Sequence, residues 1–516
     1  MAITETNPES VHAPAAAVGG AVVKPGYDER LTNEDLAPLG KQTWNSYNIF
    51  AFWMSDVHSV GGYVTAGSLF ALGLTSWQVF ICLIVGICIV LFFCNLVARP
   101  SQAAAVPYPV ASRLSFGVKG ANIPAIIRGA IAVAWYGVQT YLAAASLNVV
   151  LLKLFPDLAP LADTALHGFL GLSALGYVSY GVLWVAQAFV FWRGMDSIRK
   201  FIDFCGPAVY VVMFVLCGYL LYHAGWNVDL NLSGQTLSGW ATVGTMVSAT
   251  ALVVSYFSGP MLNFGDFSRY VTTFKQVKKG NFWGLPVNFL VFSLLTVLTA
   301  AATVPVFGEL ITDPVETVAR IDNTFAIVLG ALTFTVATVG INIVANFISP
   351  AFDFSNVNPQ KISWRMGGMI AAVGSILLTP WNWYSNDEAI HYTLGVLGAL
   401  IGPLFGILIA DYYLIRKQKI VVDDLFTMDP KGEYHYTDGY NVTAITALIG
   451  AGVLSVASVV LPKLIGVAGW VSDYSWFIGC GVGFVLYYYL AKRANIAGSG
   501  TTSVDEAAEP VAAVEG

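Results

Sequence analysis

Residues 53–62, Trp53-Met54-Ser55-Asp56-Val57-His58-Ser59-Val60-Gly61-Gly62, set a carboxylate, an imidazole and two adjacent glycines in the middle of an otherwise apolar run. A bilayer core holds no water to satisfy loose backbone groups. Irregular backbone at that depth is therefore tolerated only where it faces protein or an aqueous cavity. A second such stretch, Ser255-Tyr256-Phe257-Ser258-Gly259-Pro260, puts a helix-breaking Gly-Pro pair inside a later run. Counted by apolar run these are the first and the sixth, corresponding positions of two five-helix halves. Paired interruptions of this kind point to an inverted repeat with its site near the membrane midplane. An Asp at a span centre costs about 2.5–3.5 kcal/mol on insertion scales, so Asp56 is expected to face the interior. On the residues alone, a coupling or gating role for Asp56 and a bystander position beside an aqueous vestibule both stay open.

Composition supports the membrane reading. Of 516 residues, 56% are hydrophobic and 11% charged, with mean hydropathy +0.67. Soluble domains carry about 25% charged residues, so a water-facing surface of normal size cannot be built here. Apolar runs of about 20 residues cross a hydrocarbon core of about 30 Å. Twelve runs qualify, at 47–72, 77–97, 122–149, 170–192, 204–223, 239–262, 282–306, 323–349, 366–381, 389–413, 440–461 and 474–491. With an even number of spans both termini share a side. Placing that side in the cytoplasm puts 22 of the 25 Lys and Arg inside, leaving only Lys153, Arg320 and Lys463 outside. This is the positive-inside asymmetry of a multi-pass protein of the plasma (inner) membrane.

Residues 1–46 read as a cytoplasmic N-terminal segment without a cleavable signal peptide, 47–493 as the transmembrane transporter domain, and 494–516 as a disordered cytoplasmic tail. Val421–Tyr440 reads as a cytoplasmic loop. All six cysteines lie in apolar runs without metal or redox spacing, and the six histidines are scattered, so no metal or cofactor is implied. Neither HExxH nor a Ser/His nucleophile pattern occurs in the spans, which excludes the familiar intramembrane enzymes. The charged rings expected of a channel are also missing.

Several stretches, in order, resemble the nucleobase:cation symporter-1 family: Asn33-Glu34-Asp35-Leu36-Ala37-Pro38 with Thr43-Trp44-Asn45, then Ala134-Trp135-Tyr136-Gly137-Val138-Gln139-Thr140. Ala345-Asn346-Phe347-Ile348-Ser349-Pro350-Ala351 and Gly402-Pro403-Leu404 through Ala410-Asp411-Tyr412-Tyr413 continue the match, which runs from about 31 to 493. The resemblance implies an all-α, leucine-transporter-like fold with a 5+5 inverted repeat, broken helices 1 and 6, and two extra helices. It also implies that Trp135 stacks on a flat heterocycle while Gln139, one turn later, and Asn346, from the opposite half, bond its edge. Ser59 joins this set. A second aromatic is expected from the sixth span, where Phe257 takes the register position and Tyr256 precedes it. The physics agrees: an aromatic plate stacks, and a carboxamide offers both donor and acceptor to a ring amide.

The same register places the ion-coupling locus at Ser55, Asp56 and His58 of the first span and Ala337, Gly340 and Ile341 of the eighth. Sodium-coupled members are similar to one another in carrying two hydroxyl residues where this chain has Gly340 and Ile341. A hard cation wants several oxygens, and neither residue supplies one, whereas Asp56 is titratable. The expectation is therefore import of a nucleobase or related flat heterocyclic amide (cytosine, uracil, purine, allantoin or hydantoin class) by alternating access. A co-transported proton is favoured over sodium. A sodium-coupled allantoin or hydantoin symporter and a non-transporting receptor on the same fold are the alternatives. The expected partners are the small-molecule substrate, the cation and the lipid bilayer, with no nucleic acid; the oligomeric state is left open.

Overall fold

An unpaired peptide group in hydrocarbon costs several kcal/mol, so membrane-depth chain folds as helix. The structure is a computed structural model that describes residues 20–57, 60–230, 237–384, 387–466 and 469–496. The first span is two helices, Ser46–Val57 and Val60–Ser68. Spans 2 to 5 are Ser76–Ala104, Asn122–Leu154, Ala174–Trp192 and Met195–His223. Spans 6 to 8 are Trp240–Leu262, Phe274–Phe307 and Thr324–Val357. Spans 9 to 12 are Trp364–Leu377, Glu388–Ile415, Val442–Ile465 and Ser475–Arg493. Among the described residues, ten helices are long and apolar enough to cross a membrane, and the first and ninth spans supply shorter apolar helices. All twelve predicted runs are therefore occupied, in order.

Spans 5, 7 and 8 extend several residues beyond the predicted runs. Charged residues end a hydropathy window without ending a helix, because long cationic side chains reach back to the interface. Span 3 packs on span 8, span 2 on span 6, and spans 10, 11 and 12 on one another. Val178, Val182, Val185 and Phe189 of span 4, and Ile449, Val453 and Leu454 of span 11, turn outward and exposed. Such apolar faces suit lipid.

The interruption of span 6 is not where the Gly-Pro pair predicts it. Pro260 lies inside a continuous helix that ends at Leu262. The chain then turns at Asn263-Phe264 and resumes as a short helix, Gly265–Ser268. Proline removes one helical N–H and crowds the preceding carbonyl, and the helix outlasts it by only two residues. A second feature has no counterpart in the sequence reading. Val344–Ile348 of span 8 is a π-helical turn. Pro350, one turn on, has no N–H to offer the Asn346 carbonyl, so the helix there takes a wider turn.

Four arginines of the predicted inner surface are in fact buried staples, each at most 1% exposed: Arg113, Arg128, Arg269 and Arg416. Arg113 donates to the carbonyls of Leu31 and Leu425 and to Asn356 at 2.6–2.8 Å. Arg269 donates to the carbonyls of Asp35 and Ala37 at 2.8 and 2.9 Å. Together they tie residues 31–37 beneath the helices. Arg416 joins Asp411 (2.9 Å) to Glu433 (2.5 Å) and fixes the loop before span 11. The planar, five-donor guanidinium suits this work where an ammonium would not. Nearer the surface, Lys24 and Tyr27 both donate to Asp423 at 2.7 Å. The Lys24 hydrogen bond leads in holding that carboxyl below its usual range.

Candidate functional site

The walls of one cavity are Asp56, Trp135, Gln139, Tyr256, Gly259, Pro260, Ile341, Ala345 and Asn346. It lies between the first half-helix of span 1, span 3, span 6 and the π turn of span 8. Each polar wall residue is where it is for a local reason. Trp135 and Gln139 are four residues apart on span 3 and share a helix face. Asn346 projects from the wide π turn. Gly259 and Pro260, flagged for breaking a helix, instead form wall.

Tyr256 meets Trp135 edge-on, with ring centroids 5.5 Å apart and planes at 87°. Tyr384, just before span 10, covers Trp135 from another side at 5.9 Å. Tyr384 is tied to Thr65 of the second half-helix by a 2.7 Å hydroxyl–hydroxyl hydrogen bond. Gln139 lies flat on Gly61: a Cβ built at Gly61 would sit 2.9 Å from Gln139 Nε2 and 3.0 Å from Oε1. The glycine of the broken helix thus lets the carboxamide rest in this position. Among the described residues, buried Gln139 Oε1 has no hydrogen-bond partner, an arrangement that normally calls for a ligand or water.

Phe257 does not face this cavity, which corrects the register expectation. It packs edge-on against Phe289 at 5.5 Å and lines an adjoining apolar space with Leu83, Val253 and Phe292, a space that shares Tyr256 with the cavity. Neighbouring helix positions point about 100° apart, so one of Tyr256 and Phe257 must turn away, and it is Phe257.

Of the ion-locus residues, Asp56 is 5% exposed and lines the cavity. Among the described residues, Asp56 takes part in no ion pair. His58 and Ser59 lie outside the described residues. Among the described residues, buried Ser55 Oγ has no hydrogen-bond partner. A Cβ built at Gly340 would lie 3.3 Å from Cys205 Sγ and 3.5 Å from Ser55 Oγ, so Gly340 does stand where span 1 meets span 8. Ile341 turns to the cavity, and Ala337 is buried at 2% exposure. Thr338, not singled out from sequence, accepts the Val60 N–H at 3.0 Å and caps the second half-helix. No cluster of three or more His, Cys, Asp or Glu able to hold a metal occurs among the described residues.

Beside the cavity sits a buried polar knot. Arg128 donates to Asn263 Oδ1 at 3.0 and 2.8 Å and to the Ala345 carbonyl at 3.2 Å. Asn263 also bonds Ser349 and Asp266, and Asp266 accepts the Tyr108 N–H at 2.8 Å. Both carboxylate oxygens of Asp353 are buried without a hydrogen bond.

The profile described as "Permease for cytosine/purines, uracil, thiamine, allantoin" matches residues 37–479. The chain belongs to this permease family. The allantoin permease of Bacillus subtilis is 33% identical over 473 residues, covering 90% of this chain and 94% of the relative. The purine-uracil permease of Arabidopsis thaliana is 32% identical, covering 87% and 76%. In structure the permease is similar to the nucleobase-cation-symport-1 family transporter Mhp1 in a closed conformation with bromovinylhydantoin bound. The TM-score there is 0.70 at 20% identity, covering 90% of this chain and 96% of that one. The leucine-transporter-like fold and the resemblance to nucleobase:cation symporters thus stand, and the permease is a multi-pass transporter, not an enzyme.

Proposed function

We propose that this permease imports a flat heterocyclic amide together with a proton, by alternating access, across the plasma (inner) membrane with both termini in the cytoplasm. The observation that carries the reading is the single cavity that gathers an aromatic plate, Trp135, two carboxamides, Gln139 and Asn346, and a buried carboxylate, Asp56. A ring stacks on Trp135 with Tyr256 at its rim, and the carboxamides take its polar edge. Proton coupling is supported by the lack of side-chain oxygen at Gly340 and Ile341 and by a carboxylate in the substrate cavity. A proton on Asp56 removes a charge from that cavity, so ion and substrate favour the same closed state. Substrate and proton are then released together as one half of the repeat moves against the other.

The test is uptake of radiolabelled uracil and allantoin into proteoliposomes under an inward pH gradient, or under an inward sodium gradient at equal pH. Accumulation with the pH gradient alone, lost in Asp56→Asn, is expected. Accumulation that follows sodium, or pH-driven uptake that survives Asp56→Asn, would refute the proton assignment.

A further inference from the structure

The carboxamide of Asn346 has the same shape whichever way it is turned, but its two ends have opposite chemistry. Which end faces the ligand decides whether the cavity recognises donors or acceptors. The structure fixes this from a distance. Gln187, on span 4 and outside the cavity, donates through Nε2 to the Leu183 carbonyl and to Thr140 Oγ1, both at 3.2 Å. A carbonyl can only accept, so Gln187 Oε1 is left facing Asn342, and it accepts from Asn342 Nδ2 at 2.7 Å. The same Asn342 Nδ2 faces the Tyr136 carbonyl at 3.0 Å, a second obligate acceptor. Thr140 gives its hydroxyl proton to that carbonyl at 2.7 Å, so the oxygen it turns to Asn342 Nδ2, 2.9 Å away, is a third acceptor around that two-hydrogen amide nitrogen and not a donor.

Asn342 is therefore held with Oδ1 toward Asn346, and it accepts Asn346 Nδ2 at 3.1 Å. The remaining atom, Asn346 Oδ1, is the one left for the cavity. Gln187, Thr140 and Asn342 are wholly buried, so no solvent can repay a reversed amide. Gln139 Oε1, buried and unpaired on span 3, offers a second acceptor.

We propose that Asn342, held by the Tyr136 carbonyl and by Gln187, is a positioning residue that fixes Asn346 as a hydrogen-bond acceptor, so that the cavity selects rings presenting N–H and rejects fully N-substituted ones. This rests on the heterocycle-permease reading and sharpens it to cyclic ureides, imides and lactams with a free ring N–H. A ring without that hydrogen leaves a buried acceptor unpaired, and sites of this kind discriminate strongly.

The experiment is equilibrium binding of uracil and 1,3-dimethyluracil to the full-length protein in detergent, followed by tryptophan fluorescence. Wild type is expected to bind the dimethyl ring at least about tenfold more weakly than uracil. Asn342→Leu should collapse that ratio while still binding both rings, and Asn342→Asp, whose protonated acid donates to the Tyr136 carbonyl and keeps an acceptor toward Asn346, should restore it. A merely structural role for Asn342 would lower both affinities and leave the ratio unchanged. Should Asn342→Leu fail to fold, Asn346→Asp keeps oxygen toward the cavity and must keep the preference for uracil. Equal binding of the two rings by wild type, or full discrimination in Asn342→Leu, would overturn the proposal and leave the permease reading standing. Binding of neither ring, nor of allantoin or hypoxanthine, would count against both.

Discussion

Gly61→Ala should weaken substrate binding without weakening the protein. The new Cβ would fall 2.9, 3.0 and 3.2 Å from Nε2, Oε1 and Cδ of Gln139. Non-bonded carbon contacts settle at about 3.5–4.0 Å, so the carboxamide must move by about 0.5 Å or more. It is the free end of a flexible side chain, so the fold gives way there at little cost, and alanine gains about 0.5–1 kcal/mol over glycine within a helix. Binding behaves differently. A buried polar atom that loses its partner costs about 1–3 kcal/mol, or about five- to 150-fold in Kd. The assay is paired: thermal unfolding in detergent, and uracil or allantoin titration followed by tryptophan fluorescence. A Tm equal to or above wild type with Kd raised at least about fivefold is expected. In a Gln139→Ala background the same substitution should add almost nothing, since the two act through one contact. An unchanged Kd in Gly61→Ala would show that the carboxamide on Gly61 does not hold the substrate.

Three other outcomes follow from the same geometry. Trp135→Ala should cost about 1–3 kcal/mol of stacking, seen as a five- to 150-fold rise in Kd with expression intact, while Trp135→Phe recovers part of it. Tyr256→Leu should weaken binding and Phe257→Leu should leave Kd within about twofold, because only the first lines the cavity; titration of both variants separates the two positions. Arg128→Met strips the cation from a site that also buries Asp266 and Asp353, and should destabilise by about 3–5 kcal/mol. Thermal unfolding should show part of that loss recovered by adding Asp353→Asn.

The architecture was legible because it depends on long-range averages. Apolar runs, charge asymmetry and paired interruptions survive errors of a few residues, and all twelve runs are helical in the structure. Finer features were not legible, each for a physical reason. Phe257 was favoured over Tyr256 by counting along the chain, and one residue of helix turns a side chain by about 100°. Gly259-Pro260 read as a break because proline removes a hydrogen bond, yet the helix runs two residues further and both residues became wall. The π turn at Val344–Ile348 follows from Pro350, a signal that was present in the sequence and unread. Tyr384 and Gln187 gave no signal, since each reaches the site from a distant part of the chain: Tyr384 by covering Trp135, Gln187 through two intervening amides. Asn342 stood one turn from Asn346 and was visible by spacing alone. Arg113, Arg128, Arg269 and Arg416 entered the charge count while their burial stayed hidden, because the positive-inside bias does not depend on whether a cation meets water or backbone carbonyls.

The most direct measurement of the account is an electron cryo-microscopy map of the full-length protein saturated with its best-binding ring. Planar density against Trp135 with Tyr256 at its rim, and a ring N–H edge toward Asn346 Oδ1, is the expected result. Density beside Phe257 and Phe289, or a ring whose carbonyl faces Asn346, would contradict it.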